Sequence, residues 1–212
     1  MNEIHSLTFK LHSDIILKKE GDYLRVTKDP EERRQEIINT AIRLFYENGY
    51  EKTSIADIAN SINIAQGLCY RYFPSKEILF DTAIDQYADL LVNRMTEILK
   101  QPNLTLRQII LKMPTFLNTE TDDGLSYKLC HGSESKKIHD QLSMSICRKM
   151  FPVVKKQLDL ANERGEIDFP DTETLASFCI YGQLGILLRF DLSGEERIKR
   201  INTFLLELLQ KF

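Results

Sequence analysis

Tryptophan is absent, glycine and proline number only 9 and 6 in 212 residues, and four cysteines are scattered along the chain. So little glycine and proline excludes a collagen-like or low-complexity chain. Cys69, Cys130, Cys147 and Cys179 form no Cys-x-x-Cys pair and follow no secretory signal, which argues against a disulfide framework and for reduced thiols in a cytoplasm. No apolar run approaches the ~18–20 residues of a membrane span, so no membrane partner is expected. GxGxxG, P-loop, HExxH and GxSxG signatures are missing, and acid pairs fall on solvated helix faces; the chain reads as a non-enzyme without a cofactor. Cys130, His131 and His139 are too few ligands for a tetrahedral metal site. Charge is nearly balanced, 28 Lys and Arg against 31 Asp and Glu, so any attraction to nucleic acid must come from a local patch.

What is present is helical. After residue 28, apolar residues recur at spacings of three and four, whereas alternating Val/Ile/Thr-rich runs are scarce, giving an all-α fold class. Asp29-Pro30-Glu31-Glu32 reads as a cap, a proline at the first helical position and acids in the first turn; Asn48-Gly49 ends that helix. Short helices are expected from Thr53-Ser54 and over 66–73, then a long one from the cap Ser75 to about Lys100. Beyond it, helices are expected near 104–118, over 134–164 with a kink at Pro152, over 171–190 and over 195–211, with a short segment at 125–130. No internal repeat is found, which excludes a solenoid.

Residues 1–27 stand apart. Leu7, Phe9 and Leu11, then Ile15 and Leu17, hint at two short strands, an isolated hairpin too small to be stable and so open to disorder. The other reading is that 1–23 is untranslated, since Lys19-Glu20-Gly21-Asp22 back-translates to a purine-rich ribosome-binding sequence ahead of a start codon at Leu24.

The informative stretch runs from Ile55 to Phe73. Two helices cross steeply over a short turn only if a small residue sits at their contact and a left-handed residue turns the chain; Ala59 and Asn63 fit these roles. Ile58, Ile62, Ile64, Cys69 and Phe73 supply an apolar underside. Stepping 100° per residue from Cys69 and Phe73 turns Gly67 and Arg71 outward, with Leu68 and Tyr70 on the flanks. From Ser61 to Lys76 there are Arg71 and Lys76 and no acid. Positive charge is thus concentrated where a helix enters the major groove.

Thr53-Ser54-x-x-x-Ile58-Ala59 followed by the unbroken run from Ile64 to Leu79, with its Tyr-x-Tyr-Phe-x-Ser-Lys-Glu block, resembles the amino-terminal DNA-binding module of TetR-type transcriptional regulators. The close match covers about Glu31–Asp85, and two departures are Asn63, where glycine is commonest, and Leu68, where a small hydroxyl residue often sits. The resemblance implies a three-helix DNA-binding domain at 28–76 and a helical ligand-sensing and dimerisation domain at 77–212. Gln66, Gly67, Tyr70 and Arg71 would face base edges of double-stranded operator DNA beside Leu68, while Thr53, Tyr72 and Lys76 would hold phosphates. Thr53 fits a helix cap as well, and Tyr70 a packing residue.

The same resemblance implies a homodimeric repressor released from a palindromic operator by a small molecule. Ile198, Ile201, Leu205, Leu208 and Phe212 form a seam on the last helix; Leu175, Phe178, Cys179, Gly182, Gly185 and Ile186 are placed to meet it across a two-fold axis. Phe116, Tyr127, Met144, Cys147, Phe151, Phe178 and Tyr181 are the candidate walls of a pocket for an unidentified, mostly apolar ligand, although such residues also suit plain core. A helical protein-interaction module, or a regulator with no inducer, is the alternative.

Overall fold

A computed structural model describes residues 28–101, 103–112, 136–189 and 191–209. Among these every regular element is helical: α1 Pro30–Asn48, α2 Ile55–Ser61, α3 Gln66–Tyr72, α4 Lys76–Thr96, a 3-10 turn Glu97–Lys100, α5 Leu106–Lys112, α6 Lys136–Glu163, α7 Thr172–Tyr181, α8 Leu184–Leu187 and α9 Gly194–Leu209. The hairpin reading of 1–27, the segment at 125–130, and Phe116, Tyr127, Cys130, His131 and Phe212 lie outside the described residues.

The helix ends follow local chemistry. Asp29 accepts from the backbone N–H groups of Glu31 and Glu32, at 2.8 and 3.4 Å, and Gly49 stops α1 at a φ of +85°. Ser75 accepts from Ile78 N–H at 3.1 Å to open α4. Gly165, at a φ of +69°, closes α6 while Glu166 N–H donates back to the Ala161 carbonyl at 2.9 Å. Pro152 lies within α6, which continues through it.

One expected helix is two. The stretch 171–190 breaks after Tyr181 because Gly182-Gln183 forms a turn before the single-turn α8. Buried Arg197 donates to the Leu187 carbonyl at 2.6 Å and ties the start of α9 to the end of α8.

Helix α4 organises the interior. Leu79, Phe80, Ala83, Ile84, Tyr87, Ala88, Leu91, Val92 and Met95 form its buried stripe, against α1 at one end and α6 along its length. Leu79, Phe80 and Leu91 are fully buried, each such side chain contributing roughly 1.5–3 kcal/mol. The resulting core runs without a break from Ile37, Phe45, Ile58 and Cys69 through α4 to Ile138, Leu142, Ile180 and Ile201. A smaller core gathers Leu106, Leu158, Ala161, Ile167, Leu175 and Ala176. No helix among the described residues is long and apolar enough to cross a membrane.

Candidate nucleic-acid interface

Helices α2 and α3 meet at a turn whose Asn63 has a φ of +53°, the left-handed conformation that the crossing requires. Ile64 N–H donates to the Ala59 carbonyl at 3.0 Å across it. Ser54, not Thr53, caps α2: its hydroxyl accepts from Asp57 N–H at 3.1 Å, and Asp57 Oδ2 accepts from Ser54 N–H at 2.8 Å. The Ser54 hydrogen bonds hold the Asp57 carboxyl below its ordinary value.

Cys69 and Phe73 are buried at 0% and 1% exposure, and Ile62 and Ile64 are half-buried beside them, so the opposite face of α3 is solvent-facing. Gln66, Gly67, Tyr70 and Arg71 all lie exposed on it, and Leu68 is half-buried at its edge. No side chain caps α3 at Ala65. The cations of α1 and the residue before Asp29 are neutralised locally: Lys28 and Arg33 pair with Glu36, Arg34 with Glu31 and Arg43 with Glu47. Arg71 forms no ion pair with another described residue, which leaves its charge available on the exposed face.

The three expected phosphate ligands differ in how far they reach solvent. Thr53 is 1% exposed, and its hydroxyl lies 2.9 Å from the Gly49 carbonyl and 3.1 Å from that of Leu44. Satisfying the carbonyls at the end of α1 draws it inward, so its side chain pins the α1–α2 corner instead of reaching solvent. Tyr72 is half-buried against the core. Lys76 is the first residue of α4, but its ammonium folds back over the Tyr50 ring, 4.2 Å from the centroid, and lies 3.5 Å from the Glu51 carbonyl.

A cavity of about 140 Å³ opens between α5, α6, α7 and α9, with Met95 of α4 and Leu187 of α8 also on its wall. Met95, Ile109, Ile146, Met150, Val154 and Leu205 form its aliphatic walls, with Ser143, Gln157, Gln183 and Asn202 as polar positions and the thiols of Cys147 and Cys179 between. Burial pushes both thiols up to about 11, so both are neutral at ordinary pH. Of the expected pocket walls, Cys147 alone among the described residues lines it. Phe178, Met144 and Tyr181 are 73%, 43% and 36% exposed on outer faces, and Phe151 packs half-buried on the smaller core. The expected residues are mostly aromatic, whereas the walls of this cavity are aliphatic. The three-four repeat Ser143, Ile146, Cys147, Met150, Val154, Gln157 on one face of α6 was the usable signal.

Three residues of the expected seam on α9 face inward. Ile201, Leu205 and Leu208 line the chain's own cavity, and Leu175 is buried in the smaller core. What remains outward is Phe204, 63% exposed, with Phe178 and Tyr181 of α7, Gly182 of the turn after it and Gly185 of α8.

The sequence pattern of bacterial regulatory proteins of the tetR family matches residues 37–83, the stretch from α1 to the first turns of α4. Nucleoid occlusion factor SlmA of Salmonella paratyphi B is 30% identical over 167 residues, covering 74% of this chain and 82% of that protein. The chain belongs to the tetR family. The uncharacterized HTH-type transcriptional regulator YuxN of Bacillus subtilis is 40% identical over 105 residues, 48% of this chain; the match spans only 36% of YuxN. A TetR-family transcriptional regulator from Pectobacterium atrosepticum shares the fold of this tetR-family chain, with a TM-score of 0.64 at 22% identity over 84% of this chain and 93% of its own.

Proposed function

We propose that this tetR-family chain is a ligand-responsive transcriptional repressor in the cytoplasm, acting as a homodimer on a near-palindromic operator in double-stranded DNA. Residues 28–76 read the DNA; residues 77–212 sense and dimerise. The observation that carries the reading is the exposed, acid-free face of α3, where Arg71 stands beside Gln66, Gly67 and Tyr70. Tyr72 and Lys76 contribute phosphate contacts at the edge of that face. One such helix reads too few bases for useful specificity, which calls for two subunits on two half-sites.

The cavity supports a small, mostly apolar inducer. At about 140 Å³ it is below the ~300–1,000 Å³ of sites for drug-sized ligands, so filling it forces the helices around it apart. Helix α4 reaches from beside α3, at Lys76, to the cavity wall at Met95, so its displacement alters the separation of the two recognition helices. A regulator without an inducer is the second reading, suggested by the match over 74% of the chain to a protein named for nucleoid occlusion. Footprinting on DNA upstream of the chain's own gene tests the proposal. Two protected half-sites about 34–36 Å apart, released by a screened apolar compound, are expected; protection that no compound releases favours the second reading.

A further inference from the structure

The start of helix α6 meets the DNA-binding unit at the Tyr50 ring. Tyr50, in the corner between α1 and α2, packs in tilted contact with Phe80 of α4, ring centroids 4.5 Å apart, and with Phe45 of α1 at 5.4 Å. The Lys137 ammonium, at the start of α6, stands 3.8 Å from the Tyr50 centroid and 5.5 Å from that of Phe80. The Lys76 ammonium stands 4.2 Å from the same Tyr50 centroid. These two distances bound the separation of the ammoniums at about 8 Å, within one Debye length at ordinary ionic strength. Two like charges therefore share one ring and repel each other across it.

We propose that Lys137 is a positioning residue for the DNA-phosphate lysine Lys76, acting through the Tyr50 ring that both ammoniums share. The inference rests on the reading of Lys76 as a phosphate ligand. Without DNA, Lys76 is held by the ring and by the Glu51 carbonyl. A phosphate has to draw it off that platform. Lys137 loosens its hold by repulsion and keeps the ring once Lys76 leaves. Coupling of this kind is reciprocal: DNA that engages Lys76 fastens α6 to Tyr50, and a movement of α6 that removes Lys137 returns Lys76 to the ring. Ser143, Ile146 and Cys147, one to three turns further along α6, line the cavity, so a ligand there acts on the same helix.

Operator affinity across a salt series tests this on the full chain. Lys137→Met is expected to weaken binding about two- to fivefold per subunit, the size of one exposed cation–π contact, with the salt slope unchanged. Lys137→Arg is expected to restore it. In a Tyr50→Leu background, checked for folding by thermal melting, Lys137→Met is expected to have no effect. A salt slope reduced by about one per subunit in Lys137→Met would mean a direct phosphate contact and overturn the proposal; so would an undiminished effect in the Tyr50→Leu background. Should Tyr50→Leu not fold, the slope and the arginine rescue decide alone. Lys76→Met separates the two readings: no change in its affinity or slope removes the phosphate role itself, whereas loss there with none in Lys137→Met overturns only the coupling.

Discussion

Lys149 on α6 lies 2.7 Å from Asp89 on α4, joining the helix that lines the cavity to the helix that begins beside α3. Asp85, one turn earlier, receives the same ammonium at 3.0 Å and accepts the Ser145 hydroxyl at 3.0 Å. Partial burial pushes the Asp85 carboxyl up, but the Lys149 and Ser145 hydrogen bonds with the charges of Lys149 and Arg148 outweigh it, and its pKa lies below the ordinary 3.8. Partial burial likewise lowers Lys149, and its two carboxylate partners more than reverse this, leaving it above 10.5.

A depressed carboxylate pKa stabilises the fold above the unfolded value, and that contribution disappears as pH falls through the folded value. Asp85→Asn is therefore expected to cost ~0.2–1 kcal/mol at neutral pH, a modest amount because Asp85 is more than half exposed. Urea unfolding from pH 7 down to pH 3 should show the gap between wild type and variant closing below about pH 3.8. A gap constant across that range would mean the carboxylate's charge is not what matters.

Thr53→Val removes the hydroxyl that serves the Leu44 and Gly49 carbonyls while keeping the side-chain volume. We expect a loss of about 1–2 kcal/mol of unfolding free energy and an unchanged salt slope of DNA binding. A slope lower by about one per subunit would restore the phosphate role to Thr53.

Phe178 and Phe204 are 73% and 63% exposed, so replacing them removes little internal packing. Phe178→Glu with Phe204→Glu should convert a micromolar dimer into a folded monomer in sedimentation, with the thermal midpoint of dilute protein little changed. Persistence of the dimer would locate its interface on another face.

Cys147→Trp fills much of the cavity without touching the DNA-binding unit. Operator affinity should survive while response to an inducer found by screening is lost. Normal affinity with normal response would put the inducer elsewhere.

The DNA-binding half was legible because its chemistry is local. Asp29-Pro30, Asn48-Gly49, Ala59 and Asn63 each dictate backbone geometry within a few residues of themselves, and the helix-turn-helix follows from them. The burial of Thr53 was not legible because a cap and a buried corner threonine look alike in sequence; only the arrival of the Leu44 and Gly49 carbonyls separates them. In the second half, Phe178 and Met144 carry the same apolar signal as Ile146 and Met150, and the direction each faces is set by how α6, α7 and α9 pack. The Lys137–Tyr50 contact joins residues 87 positions apart and leaves no periodic trace.

The central claim, that α3 presents Arg71 to bases while Lys76 serves the backbone, is tested most directly by operator binding across a salt series in wild type, Arg71→Ala and Lys76→Ala. Wild-type log K should fall steeply with log salt; Lys76→Ala should weaken all sequences alike and flatten the slope by about one unit per subunit. Arg71→Ala should relax preference at one position per half-site by ~1–3 kcal/mol. A flat salt dependence in the wild type, or equal loss of specificity in both variants, would contradict the account.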